Sequence, residues 1–189
     1  RSRDTVTSQQ IIAEDHKINQ AYIELEQKVI FTLSTASPNP QQVRQLASIL
    51  DVASELNRMC DYARGIAKIN ILMGEDRLLK PLVDLPRMSE ITADMVQKAV
   101  TAFVELDVET AKELPTLDDL VDDLYNHIYK ELINFMVLDQ DTIDKASYLL
   151  WAAHNLERLA DRVNSICERT IFVATGIYKD YEVPDMKLE

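Results

Sequence analysis

Glycine is almost missing from this chain, with 3 in 189 residues. An all-β fold needs glycine for its many tight turns, so that scarcity excludes one. Aromatic residues are also sparse, at 6%. The two cysteines, Cys60 and Cys167, lie far apart and share no C-x-x-C spacing. Both stand among apolar neighbours at helical spacing, which predicts reduced, buried core residues of a cytosolic protein rather than a disulfide or a nucleophile. No apolar run approaches the roughly 18 residues that cross a bilayer, and no signal-peptide pattern opens the chain. Positive charge is short as well. Against 32 acidic residues stand 20 basic ones, for a net charge of −12. Such a surface repels nucleic acid and anionic headgroups and attracts cations.

What is present points one way. Hydrophobic residues make up 47% of the chain, and Leu, Ala, Ile, Asp and Glu recur at helical spacing. That is the pattern of an all-α protein, long enough for one medium domain or two small ones with a sizeable core.

The chain repeats itself. Sliding it by 100 positions lays Leu50, Ala53, Leu56, Arg58, Asp61, Ile66 and Ile71 on identical residues at Leu150, Ala153, Leu156, Arg158, Asp161, Ile166 and Ile171. A slide of 103 brings Asp4 onto Asp107 and Tyr22 onto Tyr125. The difference falls where SPNPQQVRQ (37–45) faces the shorter LDQDTID (138–144), and length changes belong in loops. Each copy carries an apolar seam in steps of four and three. The first runs through Ile49, Ala53, Leu56, Cys60, Ala63 and Ala67, and the second through Leu149, Ala153, Leu156, Ala160, Val163 and Cys167.

These patterns predict helices over 5–35, 41–73, 88–113, 117–137 and 141–175. Gly74 and Gly176 follow equivalent helices as C-caps. Three regions result: a first repeat over 1–80, a second over 81–176 and a tail over 177–189. The proline-bearing stretch GEDRLLKPLVDLP (74–86) links the repeats, and RLLKPLVDLPRM (77–88) is expected to pack against its own bundles. The second repeat has three helices and the first only two. The counterpart of helix 88–106 is therefore expected ahead of Arg1.

In NLERLADRVNSICE (155–168), Glu157, Asp161 and Glu168 fall on one stripe of a helix. Like charges four residues apart cost about 0.2–0.5 kcal/mol. A second acidic patch, Asp118, Asp119, Asp122 and Asp123, precedes Glu131 on another helix. Carboxylates converging from two helices build oxygen-rich metal sites. A solvated face is the other reading of the stripe, with Arg158 pairing to Asp161. A first turn complementing the helix dipole is the other reading of the patch.

Residues 155–176 (NLERLADRVNSICERTIFVATG), ELNRMCDYARGIAKINILMG (55–74) and VDDLYNHIYKEL (121–132) resemble signature segments of the PhoU family, in the family's order along essentially the whole chain. The resemblance implies two tandem three-helix bundles in a six-helix architecture, the first here lacking its N-terminal helix. It also implies a cytoplasmic, non-enzymatic, homodimeric regulator of phosphate uptake and of the phosphate-starvation response. Its partners would be the ATPase subunit of the phosphate ABC transporter and a sensor histidine kinase, with the membrane reached only through the transporter. It further implies metal, of the Fe, Zn, Mn or Mg kind, at duplicated E/D-x-x-x-D motifs.

Carried over by residue, the second motif is intact in Glu157 and Asp161, with Asp122, Asp119 and Glu168 as supporting ligands. The first departs from the pattern. Asp61 is present, but Asn57 stands where Glu157 does, Asn19 where Asp122 does and Lys68 where Glu168 does. Two anionic ligands are lost and a cation is gained, so one competent site and one weakened site are expected. Arg58 and Arg158 are placed as interhelical partners of the motifs.

Two other functions compete. A carboxylate-bridged di-metal oxidase would need Glu-x-x-His, which the chain does not contain. The alternative is a soluble PhoU-like accessory domain of a membrane phosphate transporter. His127, near the acidic patch, is expected as a surface or capping residue before a ligand, and His16 and His154 have weaker claims. Trp151 is expected to pack in the core.

Overall fold

The computed structural model describes residues 4–74, 78–79 and 81–177. Its elements are helical among the described residues: α1 (Thr5–Thr35), α2 (Pro40–Met73), α3 (Asp84–Glu105), α4 (Val108–Glu113), α5 (Pro115–Leu138) and α6 (Ile143–Thr175), with one 3-10 turn at Gln140–Thr142.

The helix starts follow from their caps. Asp4 accepts from the backbone N–H of Thr7, and its repeat-equivalent Asp107 accepts from those of Glu109 and Thr110. In both, the threonine hydroxyl also donates to the carboxylate. These hydrogen bonds hold both carboxyls below the usual range. The α2 start is a full capping box of Asn39 and Gln42, with Pro40 just inside.

The expected helix over 88–113 is two helices. It breaks at Leu106, which adopts a left-handed φ of 57°, and the Asp107 N–H returns to the Ala102 carbonyl. Asp107 then restarts the chain as an N-cap, so the break comes from the strong cap that follows. Pro115 next interrupts α4 and α5, because it lacks the N–H that would continue the ladder. Its counterpart in the first repeat is Ile12 (115 minus 103), and α1 runs through unbroken. The α3 start also lies earlier than expected, at Asp84, with Pro86 accommodated in its first turn.

The architecture is an all-α bundle assembly. The two longest helices, α2 and α6, pack on one another at the centre. α1 covers α2, while α3, α4 and α5 cover α6. Among the described residues, α1 packs on no helix but α2. The two seams therefore differ in depth. All six positions of the α6 seam, from Leu149 to Cys167, are buried. On the α2 seam only Ala67 is fully buried. The reason is coverage: three helices close over α6, one over α2.

Burial corrects two expectations. Cys167 is buried, and desolvation pushes its thiol up to about 12. Cys60 is half-buried, its thiol raised by desolvation and by Asp15 and Asp61. Trp151 is not core: it is 56% exposed and meets Tyr148 edge-on. It lies two residues past Leu149, about 200° round the helix from the seam.

Gly176 caps α6 with φ +79°, as its position promised. Gly74 caps α2 with φ +54°. Of the linker, Leu79 and Leu82 pack against the core, while residues 75–77 and 80 lie outside the described residues. So does the tail beyond Ile177.

Candidate metal centre

The acidic residues of α5 and α6 meet along the line where the two helices pack. Asp118 and Asp122 are four apart on α5, and Glu157 and Asp161 four apart on α6, so each pair shares one face. The Asn164–Asp118 hydrogen bond joins the two faces, and the carboxylates across it lie close enough to raise one another. Burial pushes Asp118 up to about 6, with added repulsion from Asp122, Asp161 and Asp119. Burial likewise pushes Glu157 up to about 7, reinforced by Asp161, Asp122 and Asp118. Asp122 is raised by the same two causes. Desolvated carboxylates that repel one another hold protons unless something positive replaces them.

Three oxygens of this cluster are buried with no hydrogen-bond donor: Asp118 Oδ1, Glu157 Oε2 and Asn164 Oδ1. Asn164 donates to the other oxygen of Asp118 at 2.7 Å, which leaves its own carbonyl oxygen without a donor. His154 Nδ1 comes within 3.2 Å of Glu157 Oε2, but that approach lacks hydrogen-bond geometry. Arg158 lies 3.7 Å from Asp161, the pairing expected of a solvated stripe, and Tyr62 on α2 also favours its charged form. Three buried oxygens lacking hydrogen-bond donors, in a set of five oxygen-bearing residues of which four are carboxylates, suit a hard divalent cation.

The expected residues divide. Asp161 and Asp122 come near enough to Glu157 to act on it by charge, although no three ligand atoms of this group lie within 4.8 Å of one another. Asp119 lies on the exposed flank and acts on Asp118 and Asp122 by charge. Glu168 is not in the cluster; about 10 Å further along α6 than Asp161, it lines a polar groove between α2 and α6 with Asp51, Ser54, Glu55, Arg58 and Arg169. The same groove takes Arg58. Two contributors were missed as ligands, Asp118 and Asn164. Their signal was available: Asp118 is one turn before Asp122, and Asn164 is seven residues beyond Glu157. The histidines also change order. His154 touches Glu157, whereas His127 points elsewhere.

The first repeat has filled the equivalent position. Asp15 corresponds to Asp118 by the slide of 103, and Arg64 to Asn164 by the slide of 100. Arg64 Nη1 lies 3.4 Å from Asp15, and Nη2 bonds Asp61. A guanidinium thus sits between the two carboxylates that remain there. Asn57 is half-buried and Asn19 exposed.

The PhoU domain model matches residues 1–69 and 85–170, covering both repeats. The chain belongs to the PhoU family. It is 32% identical over 169 residues to the phosphate-specific transport system accessory protein PhoU homolog of Aquifex aeolicus, covering 89% of this chain and 76% of that protein. With the homolog of the same description from Zymomonas mobilis it shares 31% over 167 residues, 88% of this chain and 70% of the relative. The crystal structure of PhoU from Pseudomonas aeruginosa superposes with a TM-score of 0.89 at 27% identity, over 93% of this chain and 84% of that one. That of the phosphate transport system regulatory protein PhoU from Streptococcus pneumoniae gives 0.86 at 30%, over 94% and 84%. The PhoU bundle expected from the sequence is therefore the fold of this chain. Among the described residues, no helix is long and apolar enough to cross a membrane.

Proposed function

We propose that this PhoU protein is a non-enzymatic accessory regulator of phosphate transport whose second repeat binds a divalent or iron-type cation. The observation that carries the metal reading is the set of buried oxygens without donors on Asp118, Glu157 and Asn164, facing Asp122 and Asp161. Those five residues would hold the ion, which supplies the positive charge that the desolvated carboxylates lack. Their oxygen-only donor set favours Mg, Mn or Fe(II) over Zn. Arg64 answers the same need permanently in the first repeat, so only one of the two motif positions is expected to take an ion.

The proposed partners are the ATPase subunit of the phosphate ABC transporter and its sensor histidine kinase, with the chain in the cytoplasm as a homodimer. Support for the transporter comes from the relatives, which are described as accessory proteins of phosphate-specific transport systems.

The test is phosphate uptake by the host cell at high external phosphate. Deleting the gene should release uptake from restraint, and the wild-type chain should restore it. A Glu157→Ala/Asp161→Ala chain that folds but fails to restore supports the metal-dependent reading. Full restoration by that variant removes metal from the function, and unchanged uptake on deletion removes the regulatory role.

A further inference from the structure

We propose that Asp84, His127 and Glu131 form a separate zinc-type site that ties the first turn of α3 to α5. Among the described residues, this is the one group of three or more His, Cys, Asp or Glu side chains whose ligand atoms all lie within 4.8 Å of one another. No three carboxylates of the α5–α6 cluster converge so closely. His127 Nε2 is 3.9 Å from Asp84 Oδ2.

The site is independent of the acidic centre. His127 is five residues past Asp122, about 140° round α5 at 100° per residue. Glu131, four beyond His127, returns to the same face. The group therefore lies on the side of α5 turned to α3, while Asp118 and Asp122 look to α6.

Its ligands stand on a rigid base. His127 and Glu131 each precede a buried core residue, Ile128 and Leu132, at 2% and 1% exposure. Asp84 sits between Val83 and Leu85, which close with Ile128, Leu132 and Leu149 around a small cavity. The backbone of all three ligands is thereby fixed by packing, and only side-chain rotation remains. Zinc bonds of about 2.0–2.2 Å place tetrahedral donors about 3.4 Å apart, so closure needs movements of about 1 Å.

The donor set names the ion class. One imidazole nitrogen with two carboxylate oxygens suits zinc, and imidazole is a poor ligand for Mg or Ca. Three protein ligands leave a fourth position for water. The His127 side chain is 69% exposed, so the ion can exchange with solvent. Because α3 follows directly on the linker between the repeats, zinc here would fasten that junction.

The test uses tag-free protein carrying Glu157→Gln/Asp161→Asn, which disables the acidic centre. Zinc chloride is titrated calorimetrically at pH 7.5 with millimolar magnesium present, and thermal unfolding is followed in parallel. The expected result is one zinc per chain with a raised Tm. Adding His127→Gln, or separately Asp84→Asn, should weaken binding at least tenfold and abolish the Tm shift, with the zinc-free Tm kept. The proposal is overturned if the starting variant binds no zinc, or if binding survives His127→Gln, whether or not His154→Gln then removes it. Loss of zinc already with Glu157→Gln/Asp161→Asn would leave the acidic centre standing and remove this one.

Discussion

Arg64 lies 3.4 Å from Asp15 at the position where the second repeat sets Asn164 against Asp118. One repeat has built a cation into its own chain. The other has kept an oxygen-rich cluster that lacks one. Emptying and rebuilding the first position tests this difference. Asn19→Asp/Asn57→Glu/Arg64→Asn should add about one equivalent of manganese or iron per chain, because anionic ligands replace neutral ones and the guanidinium is gone. Elemental mass spectrometry after metal loading provides the count. An unchanged count would mean that the first repeat lacks more than these three residues.

Protonation gives a second prediction. The folded-state values of Asp118 and Glu157, about 6 and about 7, lie above their ordinary 3.8 and 4.5. Between the ordinary and folded values, the folded chain binds more protons than the unfolded one. The stability contributed by these groups is full at low pH and is lost as pH rises through about 6 to 7. For metal-free protein, the urea midpoint should fall from pH 5 to pH 7.5 more in wild type than in Asp118→Asn/Glu157→Gln. Metal affinity should move the other way and increase with pH, since the ion displaces those protons. Equal pH dependence in the two chains would show that these carboxyls are not perturbed.

Thiol chemistry separates the two cysteines. A maleimide should label Cys60 in the native protein while Cys167 reacts only on unfolding, since Cys167 is fully buried and its thiol is pushed up to about 12. Peptide mass spectrometry of briefly labelled protein gives the ratio. Comparable labelling of both would mean that α6 opens readily.

The repeats also offer a matched pair in the core. Ile166 is fully buried, whereas its equivalent Ile66 is only partly buried against the same core. Ile166→Ala should cost about 2–5 kcal/mol, and Ile66→Ala distinctly less, because a cavity at the half-covered position can collapse or admit water. Denaturant unfolding of the two variants ranks them, and a reversed order would contradict the difference in coverage.

Gly176 tests the cap. Its φ of +79° and an added Cβ only 2.5 Å from Arg44 Nη1 predict that Gly176→Ala destabilises. The left-handed backbone alone accounts for about 1–2 kcal/mol. A Tm equal to wild type would show that α6 can end differently at no cost.

The sequence by itself determined the helical class, the duplication and the intact Glu157/Asp161 motif. All three are periodic: steps of three and four fix which residues share a helix face, and a slide of 100 or 103 exposes a repeat without coordinates. Asp118 could be read the same way, one turn ahead of Asp122. The tertiary structure decided what periodicity cannot carry. Whether a seam is buried depends on how many helices cover it, so Leu156 is buried and Leu56 only partly. Glu168 shares the stripe of Asp161, yet its rise along α6 sets it beside Arg58 and Arg169. The break at Leu106 is a contest between helix propagation and the Asp107 cap, which propensity alone ranks poorly. His127 and Asp84 are 43 positions apart, and no local pattern links them. They meet because α3 and α5 pack side by side, with Leu85, Ile128 and Leu132 holding the contact. A helix face is a local property of the chain; what that face meets is settled only by packing.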